Sequence, residues 1–242
     1  MGHEAWGMSA ALHDERRMAE HSCLMPHASC LVAALLALLA LPANAAPIID
    51  RAHREIRFTA VVQPGAMDRA FGVKGHHAIV WKDGKSKDWA LFVSDASDHD
   101  VRIALMRIGA KPGENLTPAA WNERDDDTNA EPDKRVIGTP IEVLVEWPGS
   151  KGRIPLARLI AEEGRPAPVL DLRFGGNEQW QKEFQSGCIV CLYSCPGGAV
   201  GNHAHPIRDY VRDGVVYSSI PSRLPPAGTR VTIIMKVRME GS

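Results

Sequence analysis

Two runs in this chain, Ile141–Trp147 (IEVLVEW) and Val231–Val237 (VTIIMKV), are rich in β-branched residues, alternate in polarity, and contain neither Gly nor Pro. Period-two patterning fits a pleated, half-buried surface and no helix, so both are expected as interior strands. Ile56–Gln63 adds a third strand, ending at Pro64-Gly65. His76–Lys82 and Trp89–Ser94 are two more, separated by a polar turn region at Asp83-Gly84-Lys85 and read together as a hairpin. Val169–Phe174 reads as a strand, and residues 187–194 as a short apolar strand or turn. Helical signals are sparse. Asp98 is a candidate cap for a helix carrying Val101, Leu105 and Ile108 at helical spacing, with Gly109 and Pro112 at its end. Leu156–Ala161 reads as a short helix, and the polar, Pro-rich stretch 111–139 as a long loop. Strands outnumber helices without alternating with them. The expected class is therefore α+β, a single compact domain with a mainly antiparallel or mixed sheet and a few short helices.

The first residues read as an address. Cys30–Leu41 (CLVAALLALLAL) is apolar but too short to span a bilayer, and Ala43-Asn44-Ala45 is a small-residue cleavage pattern. Residues 1–45 are thus expected to be a signal peptide and 46–242 the mature domain, exported, periplasmic in a Gram-negative source, with no membrane span. Met8, Met18 and Met25 are alternative starts. With 28 Lys+Arg against 29 Asp+Glu, the chain has no basic surplus to hold a phosphate backbone, which excludes nucleic acid as the expected partner.

Motifs for common enzyme chemistries fail. Gly84-Lys85-Ser86 resembles the end of a phosphate-binding loop, but Ile79 stands where the earlier glycine is required. No nucleophile elbow or zinc-protease helix occurs, and Asp125-Asp126-Asp127 lacks the spacing of a calcium loop. His76 and His77, as neighbours on a strand, are expected to face opposite sides and not to serve one site. No catalytic residue is assigned, and an electron-transfer or metal-binding role is preferred to an enzymatic one.

The chemistry concentrates in one segment. Residues 187–198 read Gly-Cys-Ile-Val-Cys-Leu-Tyr-Ser-Cys-Pro-Gly-Gly, which places Cys188, Cys191 and Cys195 within eight positions. This C-x2-C-x3-C-P spacing matches the last three cysteines and the proline of bacterial ferredoxins, with Gln185 where the first cysteine would fall. The leading expectation is an iron–sulfur cluster held by Cys188, Cys191 and Cys195 for electron transfer with a redox partner protein. Zinc or copper is an alternative, with His203 and His205 as further ligands. A different class is a metal-free thiol–disulfide protein with a Cys188–Cys191 disulfide and Cys195 as resolving thiol. A third is a non-catalytic binding domain whose cysteines are structural, since Cys is among the most buried residues. In a plain strand Cys188 and Cys191 face opposite sides, so any shared site needs a turn near Ile189-Val190 or Leu192-Tyr193.

Several segments carry a resemblance: Gly75-His76-His77 to Trp81, Gly109-Ala110-Lys111-Pro112-Gly113, Gly138-Thr139-Pro140, Arg173-Phe174-Gly175-Gly176-Asn177, the cysteine segment, and Ile207-Arg208-Asp209-Tyr210-Val211. Together they resemble the YdjY-like family of bacterial proteins from about Ile56 onward. The resemblance implies an exported, ferredoxin-like role with the cysteines carried over at Cys188, Cys191 and Cys195. It implies no defined reaction, and His203 and His205 fall outside its motifs.

Overall fold

The computed structural model describes residues 45–68, 75–212 and 214–238, all within one compact unit, Asn44–Ser242. The expected signal peptide, apart from its last residue, lies outside the described residues. The architecture is α+β, built on a curled, mixed sheet.

The chain opens with β1 (Ile48–Asp50), β2 (Glu55–Val62), β3 (His77–Trp81) and β4 (Ala90–Ser94). It continues through helix α1 (Asp98–Arg107) and the short helix α2 (Ala119–Asn122) to β5 (Ile141–Glu146), β6 (Ile154–Pro155), β7 (Ile160–Glu162) and β8 (Leu172–Phe174). Helix α3 (Glu178–Phe184), β9 (Cys188–Cys191), β10 (Val200–Asn202), helix α4 (Ile207–Val211), β11 (Tyr217–Ser219) and β12 (Arg230–Val237) complete it. The main sheet runs β6-β5-β12-β2-β4-β3-β9-β10-β8, with β1 on β2, and β7 and β11 form a separate ribbon. The two period-two runs are interior as expected: β12 lies between β2 and β5, and β5 between β12 and β6. Alternate residues of β12, Val231, Ile233, Met235 and Val237, are buried, and Val101 and Leu105 of α1 are fully buried in the same core.

Four local expectations are corrected. β3 and β4 are not a hairpin but pair in parallel, His77 opposite Ala90 and Trp81 opposite Ser94. The intervening residues turn twice rather than once, Gly84 N–H to Trp81 O at 2.9 Å and Lys87 N–H to Gly84 O at 3.3 Å. They run back along the sheet and bond to another segment, Lys85 N–H to Gln185 O at 3.0 Å and Ser86 N–H to Ser186 O at 3.1 Å. Second, Ser97 caps α1, its hydroxyl accepting from the Asp100 N–H at 3.0 Å, while Asp98 is the first helical residue. A hydroxyl just before the helix has the extended backbone a cap needs. Third, Leu156–Ala161 splits into a single 3-10 turn at Leu156–Arg158 and the strand β7, because Ile160 pairs with Ser219. Fourth, the strand expected at Val169–Phe174 is confined to Leu172–Phe174, and helices α3 and α4 form in stretches for which no element was expected.

The long stretch 111–139 remains mostly loop but is anchored from beneath. Arg208, almost fully buried on α4, donates to Arg124 O at 3.1 Å and Asp126 O at 2.8 Å, to Asn129 O, and to Asp133 Oδ1 at 3.2 Å. One planar guanidinium thus satisfies three carbonyls and a carboxylate of a segment with little core of its own.

Candidate functional site: a thiol cluster beside an aromatic cavity

Strand β9 does not pair regularly with its antiparallel neighbour β3. His77 lies opposite Cys191, Ile79 opposite Val190 and Val80 opposite Cys188, with register shifts between the pairs. Ala78 on one strand and Ile189 on the other are therefore extra residues. An extra residue reverses the alternation of side chains, which is how a bulge re-aims a group. Cys188 and Cys191 would face opposite sides of a regular strand, and the bulge at Ile189 turns them toward each other. A turn was expected near Ile189-Val190 or Leu192-Tyr193; at the first of these the chain stays in the strand and carries a bulge instead. Beyond β9 the chain turns through Leu192–Ser194, where Tyr193 is fully buried and its hydroxyl donates to Val215 O at 2.7 Å.

Cys191 is the centre of the cluster, its thiol within hydrogen-bonding reach of both Cys188 and Cys195. All three are free thiols and buried. Burial, reinforced by the neighbouring Cys188, pushes the Cys191 thiol well above its ordinary range, against the Cys195 thiol and the Tyr193 N–H, which favour thiolate. Cys195 is also pushed well up, first by its hydrogen bond with Cys191 and then by burial, while the Gly197 and Gly198 N–H groups act the other way. Cys188 differs in its partner: its Sγ lies 3.3 Å from His77 Nδ1. Burial and the adjacent His76 hold His77 well below the usual imidazole range, so it stays neutral at physiological pH. A neutral ring with its proton on Nε2 accepts from the thiol at Nδ1.

His76 and His77 do not diverge as expected. His76 precedes the first paired residue of β3, so strand alternation does not govern it, and the two ring centroids lie 3.9 Å apart. Both rings line a cavity of about 400 Å³, together with Cys188 and Cys195. Its far wall is aromatic: the His76 ring centroid lies 4.9 Å from Tyr210 and 5.6 Å from Trp121. The Arg124 guanidinium carbon sits 4.6 Å over the Trp121 ring. Lys85, Ser86 and Trp89 enter from the return segment between β3 and β4. That segment reaches the cysteines because glycines face each other: a Cβ on Gly84 would lie 2.4 Å from Ser186 O, and one on Gly187 would lie 2.6 Å from Gly84 Cα.

The two remaining candidates, His203 and His205, are engaged elsewhere. Residues 203–205 form a turn rather than an extended segment. His203 Nδ1 meets Val136 O at 2.7 Å, and His205 Nδ1 meets Asp209 Oδ2 at 2.9 Å. Neither lines the cavity. Among the described residues no group of three or more His, Cys, Asp and Glu side chains is arranged to hold one metal ion. Nor is any helix among them long and apolar enough to cross a membrane.

The family description YdjY domain matches residues 48–236, which includes every element of the sheet but the last residue of β12. The chain belongs to the YdjY family. It is 32% identical over 162 residues, 66% of this chain and 67% of the other, to "Uncharacterized protein YdjY" of Escherichia coli (strain K12). No solved structure matches it. Family membership agrees with the resemblance noted in the sequence and brings no reaction with it, so the chemistry of the site has to be argued from its geometry.

His77, Lys85, Trp89, Trp121, Arg124 and Tyr210 were not legible as site residues. The His76-His77 pair was visible, but only the bulged register makes His77 a partner of a thiol. The others come from segments more than sixty residues from the cysteines or, for Tyr210, from a helix with no signal of its own.

Proposed function

We propose that this protein is a thiol–disulfide exchange protein in which Cys188 is the entering nucleophile and Cys191 the resolving thiol. The observation that carries this is the asymmetry of the pair. Cys188 lies on the cavity wall with His77 Nδ1 at 3.3 Å, while Cys191 is fully buried behind it and held as a thiol. A reactive thiol needs a base and access, whereas a resolving thiol needs only proximity to the sulfur it will attack.

The steps balance. As a partner disulfide R–S–S–R enters, His77 Nδ1 takes the Cys188 proton in the same step in which the Cys188 sulfur attacks one sulfur of that disulfide, because burial disfavours a resting imidazolium–thiolate pair. The partner S–S bond breaks, a mixed Cys188–S–S–R disulfide forms, and the departing thiolate takes the proton back as RSH. Cys191 then gives up its proton and attacks the Cys188 sulfur. The Cys188–Cys191 bond forms, and the second R–S⁻ leaves as RSH with that proton. Two protein thiols are oxidised and one disulfide is reduced. Cys195 stays reduced in this scheme and hydrogen-bonds the resolving sulfur, a different part from the resolving role first considered for it.

Export of residues 46–242 belongs to the same proposal. The apolar run Cys30–Leu41 and Ala43-Asn44-Ala45 support it, and the family match begins just past that cleavage pattern. N-terminal sequencing of the secreted protein should begin at or near Ala46. Retention of residues 1–45 on a cytoplasmic protein would end that part of the proposal.

The exchange chemistry is tested by oxidising the reduced protein with 2-hydroxyethyl disulfide, blocking the remaining thiols, and mapping the peptides by mass spectrometry. A Cys188–Cys191 disulfide with alkylated Cys195 is expected, and Cys191→Ser should accumulate the mixed disulfide on Cys188. The iron–sulfur expectation makes the opposite forecast. The freshly purified protein would then carry iron and sulfide, and Cys191→Ser would lose them.

A further inference from the structure

We infer that the cavity over Cys188 selects a small anionic disulfide, one bearing carboxylate groups, as the molecule with which the thiols exchange. This inference rests on the thiol-exchange proposal for the chemistry, but the electrostatics of the cavity carry it independently. At about 400 Å³ the cavity suits a small molecule rather than an inserted protein domain. Its lining includes two full cations, Lys85 and Arg124, and no carboxylate. Neither cation forms an ion pair among the described residues; Arg124 lines this cavity alone, while exposed Lys85 borders both it and the neighbouring one.

The neighbouring cavity makes a useful contrast. It is of similar size, about 380 Å³, but Lys85, Arg102 and Lys182 there stand with Asp83, Asp98 and Glu178, so its charge is balanced. Of these two neighbouring cavities, only the one holding the thiols is lined by cations without a carboxylate. Arg124 is also fixed rather than trailing in solvent. Its Nη1 donates to Trp121 O at 2.9 Å, its plane lies over the Trp121 ring, and its charge reaches the Tyr210 hydroxyl. A guanidinium carries five N–H donors, and those not spent on Trp121 O can bond a carboxylate. Trp121 and Tyr210 offer apolar walls for the carbon chain, and half-exposed Trp89 stands at the same cavity. A ligand with an anionic end and an apolar, sulfur-bearing body matches this arrangement. A cationic disulfide meets repulsion from both Lys85 and Arg124.

Three disulfides of similar size and different charge test it: dithiodipropionate (dianion), 2-hydroxyethyl disulfide (neutral) and cystamine (dication). In low salt the wild-type thiols should react with dithiodipropionate about tenfold faster than with the neutral reagent, and most slowly with cystamine. Lys85→Gln with Arg124→Gln should bring the ratio of the anionic to the neutral rate down to about one. Raising the salt should shrink the same difference. Equal rates for all three reagents overturn the anion inference while leaving thiol exchange in place. A second measurement separates the two ideas. Calorimetric titration of dithiodipropionate into the Cys188→Ser, Cys191→Ser, Cys195→Ser variant, which has no thiol left at the site to react, should show binding that is lost when Lys85→Gln and Arg124→Gln are added. Binding there with no reaction in the wild type overturns the exchange chemistry alone. Absence of binding overturns the inference.

Discussion

Substituting Gly84 by alanine isolates the contact that brings the Lys85–Trp89 segment to the cysteines. Gly84 does not need a left-handed backbone, so in an open position the change would stabilise the fold by about 0.4–1 kcal/mol through the unfolded chain. Here the added Cβ would stand 2.4 Å from Ser186 O and 2.7 Å from Gly187 Cα, both backbone atoms that no rotamer change can move aside. The segments must separate by roughly an ångström to restore ordinary contact. That stretches the Lys85 N–H to Gln185 O bond, at 3.0 Å, the Ser86 N–H to Ser186 O bond, at 3.1 Å, and the Trp81 N–H to Gly187 O bond, at 2.8 Å. At about 1 kcal/mol for each of the three bonds, the loss outweighs the entropic gain and leaves about 2–2.6 kcal/mol of destabilisation. For a domain of this size that corresponds to a Tm lower by about 4–10 °C. Thermal unfolding followed by circular dichroism measures it, and alkylation of Cys188 by iodoacetamide in the native state supplies a second readout, expected to quicken severalfold as Ser86 and Trp89 withdraw. An unchanged Tm together with an unchanged alkylation rate would refute the close-packing argument.

Arg208→Ala should free the loop that carries Trp121 and Arg124. Hydrogen exchange across residues 119–133 is expected to lose most of its protection, with a stability cost of about 2–4 kcal/mol because several charge-assisted bonds go together. Tyr193→Phe leaves Val215 O without its donor and should cost about 1–2 kcal/mol in denaturant unfolding, with no change in m-value. For Glu55, nearly fully buried, burial raises its carboxyl, but hydrogen bonds from Arg57 and Arg153 outweigh this and hold it below the usual glutamate range. A depressed carboxyl contributes stability above its unfolded pKa and loses it as the pH falls through the folded value. Stability should therefore decline below about pH 4.5, and less steeply in Glu55→Gln than in the wild type. Because both arginines are more than a third exposed and can be re-solvated, that variant should cost only about 1 kcal/mol at pH 7, and a cost several times larger would show that the pair is more dehydrated than described.

The strands were legible where period two is strong and long, as in β2, β5 and β12, because alternation and burial act together there. Pairing direction was not. A polar Asp83-Gly84-Lys85 suggests a hairpin on local grounds, but the backbone donors of Lys85 and Ser86 find their acceptors at Gln185 and Ser186, far away in sequence. The cysteines were legible as a cluster because their spacing is improbable. What each thiol does was not, since that depends on the Ile189 bulge and on His77, and a bulge that exchanges one residue of register leaves no compositional mark. The positions of Arg124 and Trp121 follow from Arg208, and the sequence gives no sign that a helix arginine will hold a loop some eighty residues away.

The central claim is that the cluster works as a dithiol, and it is tested most directly on protein purified without oxygen. Free thiols are counted in denaturant before and after equilibration with a small disulfide, alongside iron and sulfide analysis and an absorption spectrum. The account predicts that oxidation removes two thiols of the mature domain, Cys188 and Cys191, leaves Cys195 titratable, and is reversed by dithiothreitol, in protein that carries no stoichiometric iron or sulfide. Stoichiometric iron and sulfide with the broad visible absorption of a cluster, or three thiols that no disulfide oxidises, would contradict it.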